Sequence, residues 1–191
     1  MTALVVLFLS TMFVNNFVFA RFLGLCSYIG VSKKIPDAIG MGMAVIFVML
    51  ISSVFSWFIQ TLVLAPLHLE YLQTIVFILI IASLVQLVEI VLAKTAPALY
   101  NTLGIYLPLI VTNCMILAVA LLNVNQGHDL IKTIVFTLGA GAGYTLALIL
   151  IASIRERLEL ANVPQALKGE PLTFITAGLM AIAFFGFAGM L

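Results

Sequence analysis

Charge is scarce in this chain. Of 191 residues, 8 are Lys or Arg and 7 are Asp or Glu, so 8% are charged, whereas a soluble domain carries about 25%. So few charges leave a globular surface uncovered, which excludes a soluble enzyme. The net charge of +1 offers no basic footprint and excludes a nucleic-acid binder. No polar segment is long enough to build a separate soluble domain. The chain also lacks a G-x-G-x-x-G turn between strand and helix, and with it any module that holds a dinucleotide. There are only two cysteines, Cys26 and Cys114, with no C-x-x-C. A small disulfide-stapled secreted scaffold is thereby excluded. Finally, no charge precedes Arg21, so the first apolar stretch lacks the basic start of a signal peptide and reads as a retained span.

What the chain has in abundance is apolar length. Its few charges delimit six uncharged runs, 1–20, 38–69, 71–88, 95–128, 133–154 and 171–191, and a bilayer-spanning helix needs about 20 such residues. Turn residues at Ser32–Asp37, Ala65-Pro66, Lys94–Pro97, Asn123–Asp129 and Asn162–Pro171 separate them. The pattern predicts six helices near 3–30, 37–62, 71–93, 100–122, 130–153 and 171–190, because only helices or closed barrels satisfy backbone groups in lipid. The expected fold class is an all-α integral membrane protein with one membrane domain, 1–191.

The basic residues then set orientation. Lys33, Lys34, Lys94, Arg155, Arg157 and Lys168 follow the first, third and fifth helices, and only Lys132 lies on the opposite side. By the positive-inside bias, those three loops face the cytoplasm and both termini face outward. This suits a multi-pass protein of a bacterial inner membrane.

The two halves, about 1–96 and 97–191, also resemble each other. Gly40-Met41-Gly42-Met43-Ala44 reads like Gly139-Ala140-Gly141-Ala142-Gly143 at an offset of 99, and Glu70 before the third helix matches Glu170 before the sixth at 100. Cys26 and Cys114 fall in the first helix of each half at the looser offset of 88. Three spans per half make the second repeat enter the membrane inverted, an arrangement that places the functional centre between the halves. Gly40 with Ala44, and Gly139 with Gly143, are small-xxx-small pairs, which are first of all packing motifs that let helix backbones approach.

The first and fourth helices stand apart. One carries Asn15-Asn16 near its middle and then Arg21; the other carries Pro108 and then Thr112-Asn113 directly before Cys114. Polar and helix-breaking residues at depth mark discontinuous helices that line a buried site. For the asparagines alone, ordinary interhelical hydrogen bonding, about 0.6 kcal/mol per bond, is the better account; a cysteine in each half shifts the balance. A free membrane cysteine usually just packs. Two at matching places in an inverted repeat would be brought near each other by its pseudo-two-fold axis. Yet two thiolates fall short of the four ligands of a typical zinc or iron–sulfur site, and His68 and His128 lie in loops on the far side. Residue chemistry alone stops at a half-site.

Specific motifs carry the reading further. Phe13-Val14-Asn15-Asn16-Phe17-Val18 followed by Phe22-Leu23-Gly24-Leu25-Cys26 resembles the A subunits of Rnf complexes. So do Gly30–Lys34, Ala38–Gly42, Leu103-Gly104-Ile105-Tyr106-Leu107-Pro108-Leu109-Ile110-Val111-Thr112-Asn113-Cys114, Arg155–Arg157, Val163-Pro164, Lys168-Gly169 and Ile175–Met180. The resemblance spans essentially the whole chain. The E subunit of the sodium-translocating NADH:quinone reductase shares the skeleton but is less similar around Val14–Val18.

The resemblance implies a membrane subunit of an ion-translocating ferredoxin:NAD oxidoreductase, coupling electron transfer to Na+ or H+ movement. It implies pairing with a homologous E subunit of opposite orientation, alongside the B, C, D and G subunits. It further implies a [2Fe-2S] cluster shared between the pair. Cys26 and Cys114 would ligate it, with Gly24, Leu25, Thr112 and Asn113 around the sulfurs. Flavin, NAD and ferredoxin would be served by other subunits, and no catalytic residue is expected here. Two other classes stay open. One is a small-ion permease, for which Gln86, Glu89 and Arg21 are the thin candidates; a structural Glu89–Lys94 contact is at least as good a reading of Glu89. The other is a passive anchor that seats redox subunits.

Overall fold

The computed structural model describes residues 2–32, 34–67, 70–95, 109–110, 113–159, 164 and 169–189, and every element among them is helical. Helix α1 is Thr2–Leu9, prolonged by a π-helical turn at Ser10–Val14. Then come α2, Phe17–Arg21, α3, Leu25–Val31, and α4, Ile35–Ile59, which runs on through a π turn at Gln60–Leu64. The remaining α-helices longer than one turn are α5, Gln73–Thr95, α6, Cys114–Asn125, α7, Leu130–Glu159, and α8, Glu170–Phe185. Ile35–Leu64, Gln73–Ile90 and Leu130–Leu158 are each long and apolar enough to cross a membrane, and Thr2–Val14, Cys114–Asn125 and Glu170–Phe185 are shorter apolar helices.

Large apolar side chains face outward on nearly every helix, among them Met43, Phe47, Leu62, Leu79, Ile131, Ile182 and Phe185. Asparagine, serine and threonine are instead buried, as at Asn16, Ser27, Ser52, Asn113, Asn123, Thr133 and Thr137. Water would impose the reverse distribution, and lipid imposes this one. Between helices in lipid, association rests on close packing, and the most extensive packing here is α4 against α7. A Cβ added to Gly42 would come within 2.6 Å of Thr145, and one added to Gly141 within 2.7 Å of Ile46. Small residues therefore let these two antiparallel helices touch at two levels. Met41, Val45, Met49, Met115, Ile116, Val119, Ala147, Leu148 and Ile151 fill the space around them.

The expected small-xxx-small pairs divide. Gly139 and Gly143 receive the first span: Cβ atoms there would lie 2.9 Å from the Phe8 carbonyl and 2.8 Å from the Met12 carbonyl. Gly40 meets none of the described residues within 4 Å, and Gly42 is the close-packed glycine of α4.

The first span, read as one stretch from 3 to 30, is three helical pieces. Thr11 starts the first break. Its hydroxyl donates to the Leu7 and Phe8 carbonyls at 3.0 and 2.9 Å, and the ladder slips to an i→i−5 bond, Asn15 N–H to Ser10 O at 2.7 Å. The second break is a left-handed corner: Phe22 has φ +52° and Gly24 φ +78°, and the Leu23 N–H closes back on the Phe17 carbonyl at 3.1 Å. Of the fourth span, expected from 100 to 122, residues 100–108 lie outside the described residues, as does Pro108. The helix begins again after Asn113, as α6.

Helix α7 continues to Glu159, six residues past its expected end at 153. The charges of Arg155-Glu156-Arg157 were the expected stop, but two of them are structural. The Arg155 guanidinium donates to the Ile29 carbonyl at 2.7 Å and to the Ser32 hydroxyl at 2.9 Å, satisfying the C-terminal end of α3. The Glu156 carboxylate accepts from the Ile35 N–H at 3.3 Å.

Candidate functional site

Two asparagines restart the broken spans in the same way. Asn16 is extended (φ −63°, ψ 115°) and its side-chain oxygen accepts from the Val18 N–H; Asn113 is extended (φ −71°, ψ 110°) and accepts from the Met115 N–H. Both bonds are 3.1 Å. Asparagine suits this place because its short carbonyl arm reaches the N–H two residues on, which is otherwise unsatisfied. Each asparagine also donates across the fold. Asn16 bonds the Gly143 carbonyl at 2.9 Å, and Asn113 bonds the Ser27 hydroxyl at 3.3 Å.

Between these caps lies the Gly24 corner. Its N–H donates to Cys114 Sγ at 3.0 Å. Its carbonyl accepts from the Ser27 hydroxyl and from the Tyr28 N–H, both at 3.0 Å. Only glycine fits. The backbone is left-handed, and a Cβ would lie 3.1 Å from the Tyr144 ring and 3.5 Å from Asn113 Oδ1. Beneath the corner, Ser27 and Tyr144 join hydroxyls at 2.5 Å, both fully enclosed.

The corner brings the two cysteines together. Cys26 follows Gly24 by two residues, a reach of at most about 7 Å, and Gly24 is bonded to the sulfur of Cys114. Both thiols are free and exposed. Cys26 opens into a shallow cleft of about 340 Å³ lined by Leu25, Ile29, Gly30, Glu170 and Phe174.

The expected site residues thus have distinct places. Gly24 serves the opposite cysteine, Cys114, rather than its neighbour Cys26. Leu25 is half-buried beside Cys26. Asn113 gives its amide to Ser27 and its carbonyl to the α6 cap, not to a sulfur. Thr112 lies outside the described residues. Ser27 and Tyr144 went unnoticed in the sequence. The available signals were a serine one helical turn after Gly24 and a lone large polar residue ending the small run Gly139–Gly143.

Among the described residues no group of three or more His, Cys, Asp or Glu gathers to hold a metal. The two thiols are the right donor type for iron or zinc, but they make half a ligand set, and their exposure leaves the other half to be supplied from outside the chain. The permease candidates do not form a midplane site. Gln86 is exposed and Glu89 half-buried on α5, the least buried of the long helices, while Arg21 is exposed with its guanidinium 5.6 Å over the Phe17 ring.

Comparison with known proteins places the chain in a family. The profile of the family described as "Rnf-Nqr subunit, membrane protein" matches residues 4–191. The chain belongs to the Rnf-Nqr family. Among curated relatives it is 55% identical, over 100% of its length and 98% of theirs, to the A subunit of the ion-translocating oxidoreductase complex of Syntrophotalea carbinolica. It is 56% identical to the A subunit of the Na(+)-translocating ferredoxin:NAD(+) oxidoreductase complex of Acetobacterium woodii, over 98% of this chain and 97% of that one. The corresponding A subunit of Photorhabdus laumondii is 54% identical over 100% and 98%. Family and apolar helices together make this an integral membrane protein, and within the Rnf-Nqr family its likeness is to A subunits.

Proposed function

We propose that this chain is the A subunit of an ion-translocating ferredoxin:NAD oxidoreductase complex, and that Cys26 and Cys114 supply half the ligands of a [2Fe-2S] cluster. The other two would come from the homologous E subunit, making the four that such a cluster takes. The observation that carries this reading is the Gly24 corner. It sets two exposed cysteines, 88 positions apart in sequence, beside one glycine and aims a backbone N–H at one of their sulfurs. Two thiolates that merely packed would be buried. When bound, the cluster supplies a one-electron relay inside the membrane, where no soluble carrier fits. This chain's contribution is to present two thiolates at the surface, to hold their backbone rigid, and to donate hydrogen bonds towards sulfur.

Two features support the inverted repeat in this reading. Gly42 meets Thr145 and Gly141 meets Ile46, and these are one contact written twice, because 141 and 145 are 42 and 46 advanced by 99. Reciprocal contacts of that kind are the mark of a two-fold relation. The caps Asn16 and Asn113 match at an offset of 97, close to the 99 and 100 of the other motifs. They are better equivalents than the cysteines.

In this reading the start of α4 at Lys34 and the end of α7 at Arg155–Arg157 face the cytoplasm and both termini face out, in a bacterial inner membrane. The complex couples electron flow to Na+ or H+ translocation. Ferredoxin, NAD and flavin are handled by the B, C, D and G subunits. Two assays test it. Reporter fusions after Lys34 and at the C-terminus should read cytoplasmic and external, respectively. Ferredoxin-to-NAD electron transfer by the complex should stop with Cys26→Ser while the subunit still inserts. Unimpaired electron transfer in that variant would return the chain to the class of anchors.

A further inference from the structure

The hydroxyl of Ser27 makes three contacts: the Gly24 carbonyl at 3.0 Å, the Asn113 side-chain amide at 3.3 Å and the Tyr144 hydroxyl at 2.5 Å. A serine hydroxyl has one proton to donate and two lone pairs with which to accept. The Gly24 carbonyl has no proton, so Ser27 donates there. The Asn113 amide donates, so Ser27 accepts from it. One acceptor position remains, and Tyr144 must fill it as the donor. The proton order is therefore fixed: Tyr144 O–H to Ser27, Ser27 O–H to the Gly24 carbonyl. The same Gly24 then gives its N–H to Cys114 Sγ. The Gly24 carbonyl and N–H belong to two different peptide groups, so the link between these bonds is mechanical: anchoring the carbonyl fixes the corner that aims the N–H. The Tyr144 ring adds a wall, since a Cβ on Gly24 would lie 3.1 Å from it.

We infer that Tyr144, acting through Ser27, is a positioning residue that holds the Gly24 N–H on the Cys114 sulfur and thereby raises the reduction potential of the centre ligated there. This rests on the cluster reading above. The sign follows from charge. Reduction adds an electron to the cluster, an N–H pointed at a ligand sulfur stabilises the more negative state, and such bonds are among the determinants of iron–sulfur potentials. Neither the Tyr144 nor the Ser27 hydroxyl hydrogen-bonds a sulfur. Both act on the corner that does.

The test uses the intact membrane complex with Tyr144→Phe, which keeps the ring and removes the hydroxyl, and with Ser27→Ala, which removes the whole relay. Redox titration monitored by electron paramagnetic resonance gives the potential of the cluster, and hydrogen–deuterium exchange gives the protection of the Gly24 amide. Both variants should retain the cluster signal with its potential shifted to more negative values, Ser27→Ala further than Tyr144→Phe. Gly24 exchange should quicken by about fivefold, the factor lost with one hydrogen bond of ordinary net strength. An unmoved potential in Ser27→Ala overturns the inference even if exchange quickens. Should a variant lose its cluster, faster Gly24 exchange supports the inference and unchanged exchange overturns it. Failure of the underlying reading looks different: an unmodified complex with no cluster signal, or one whose signal survives replacement of Cys26 and Cys114 by serine.

Discussion

Replacing Gly24 by alanine strains the corner in two separable ways. Its φ of +78° puts an L residue into the left-handed region, which costs roughly 1–2 kcal/mol. The new methyl group would sit 3.1 Å from Tyr144 Cε2, 3.5 Å from Asn113 Oδ1 and 3.6 Å from Met115 Cβ. Crowding of that kind in a packed site costs about 1–3 kcal/mol more. Gly127 is the internal control. Its φ is +61° with nothing within 4 Å, so Gly127→Ala carries the backbone cost alone. In stepwise heating of detergent-purified complex, followed by recovery of the folded subunit, Gly24→Ala should melt several degrees below Gly127→Ala, since about 1 kcal/mol corresponds to about 2–4 °C in a chain of this size. Iron content should fall only in the Gly24 variant, because the N–H on Cys114 moves with the corner. Equal melting points and equal iron would refute the claim that Gly24 is wedged between Tyr144 and Asn113.

Three further outcomes are expected. Asn16→Ala removes the α2 cap and the bond to the Gly143 carbonyl and should destabilise the subunit by about 1–3 kcal/mol; Leu25→Ala, half-buried and making no side-chain hydrogen bond, should lower thermal recovery less. Arg155→Ala releases the Ile29 carbonyl and Ser32, so amides of residues 29–32 should exchange faster while those of α6 are unchanged. At His128, burial and then Lys132 lower the pKa from its ordinary 6.5, against Asp129, which raises it. The folded loop therefore favours neutral imidazole, the unfolded state binds more protons just below that value, and loop stability is lost as pH falls from 6.5 through the lower folded value. Residue-resolved acylation of His128 by diethyl pyrocarbonate should show a midpoint below 6.5, and a midpoint above it would reverse the sign.

Much of this architecture was legible in the sequence because lipid makes apolar length informative. All six uncharged runs contain apolar helix, and Asn15-Asn16 does break the first. Gly139 and Gly143 do admit a neighbouring backbone, as their spacing suggested. What was not legible depended on where a side chain reaches. Arg155 and Glu156 read as loop charges, yet they extend α7 by bonding the ends of α3 and α4, a partnership between residues more than 120 positions apart. The pairing of halves was read from the glycines and from Glu70 and Glu170, with the cysteines at a looser offset; the asparagine caps agree with the glycines, but their equivalence lies in backbone angles. Gly24 was expected near the sulfurs, without a sign of which one its backbone would meet. The left-handed corner turns its N–H to Cys114, and no periodicity reveals that. Ser27 and Tyr144 stayed hidden because a serine and a tyrosine in apolar helices are usually read as packing.

Whether the paired thiols hold a cluster is decided by iron and acid-labile sulfide per complex, together with the electron paramagnetic resonance spectrum, in membranes carrying unmodified chain, Cys26→Ser or Cys114→Ser. Ligation by both cysteines predicts that either single substitution removes the same [2Fe-2S] signal and the same two irons, while the A and E subunits remain associated and clusters elsewhere in the complex are untouched. A signal and iron content identical in all three preparations would contradict it, and would leave the paired thiols at the Gly24 corner without a redox role.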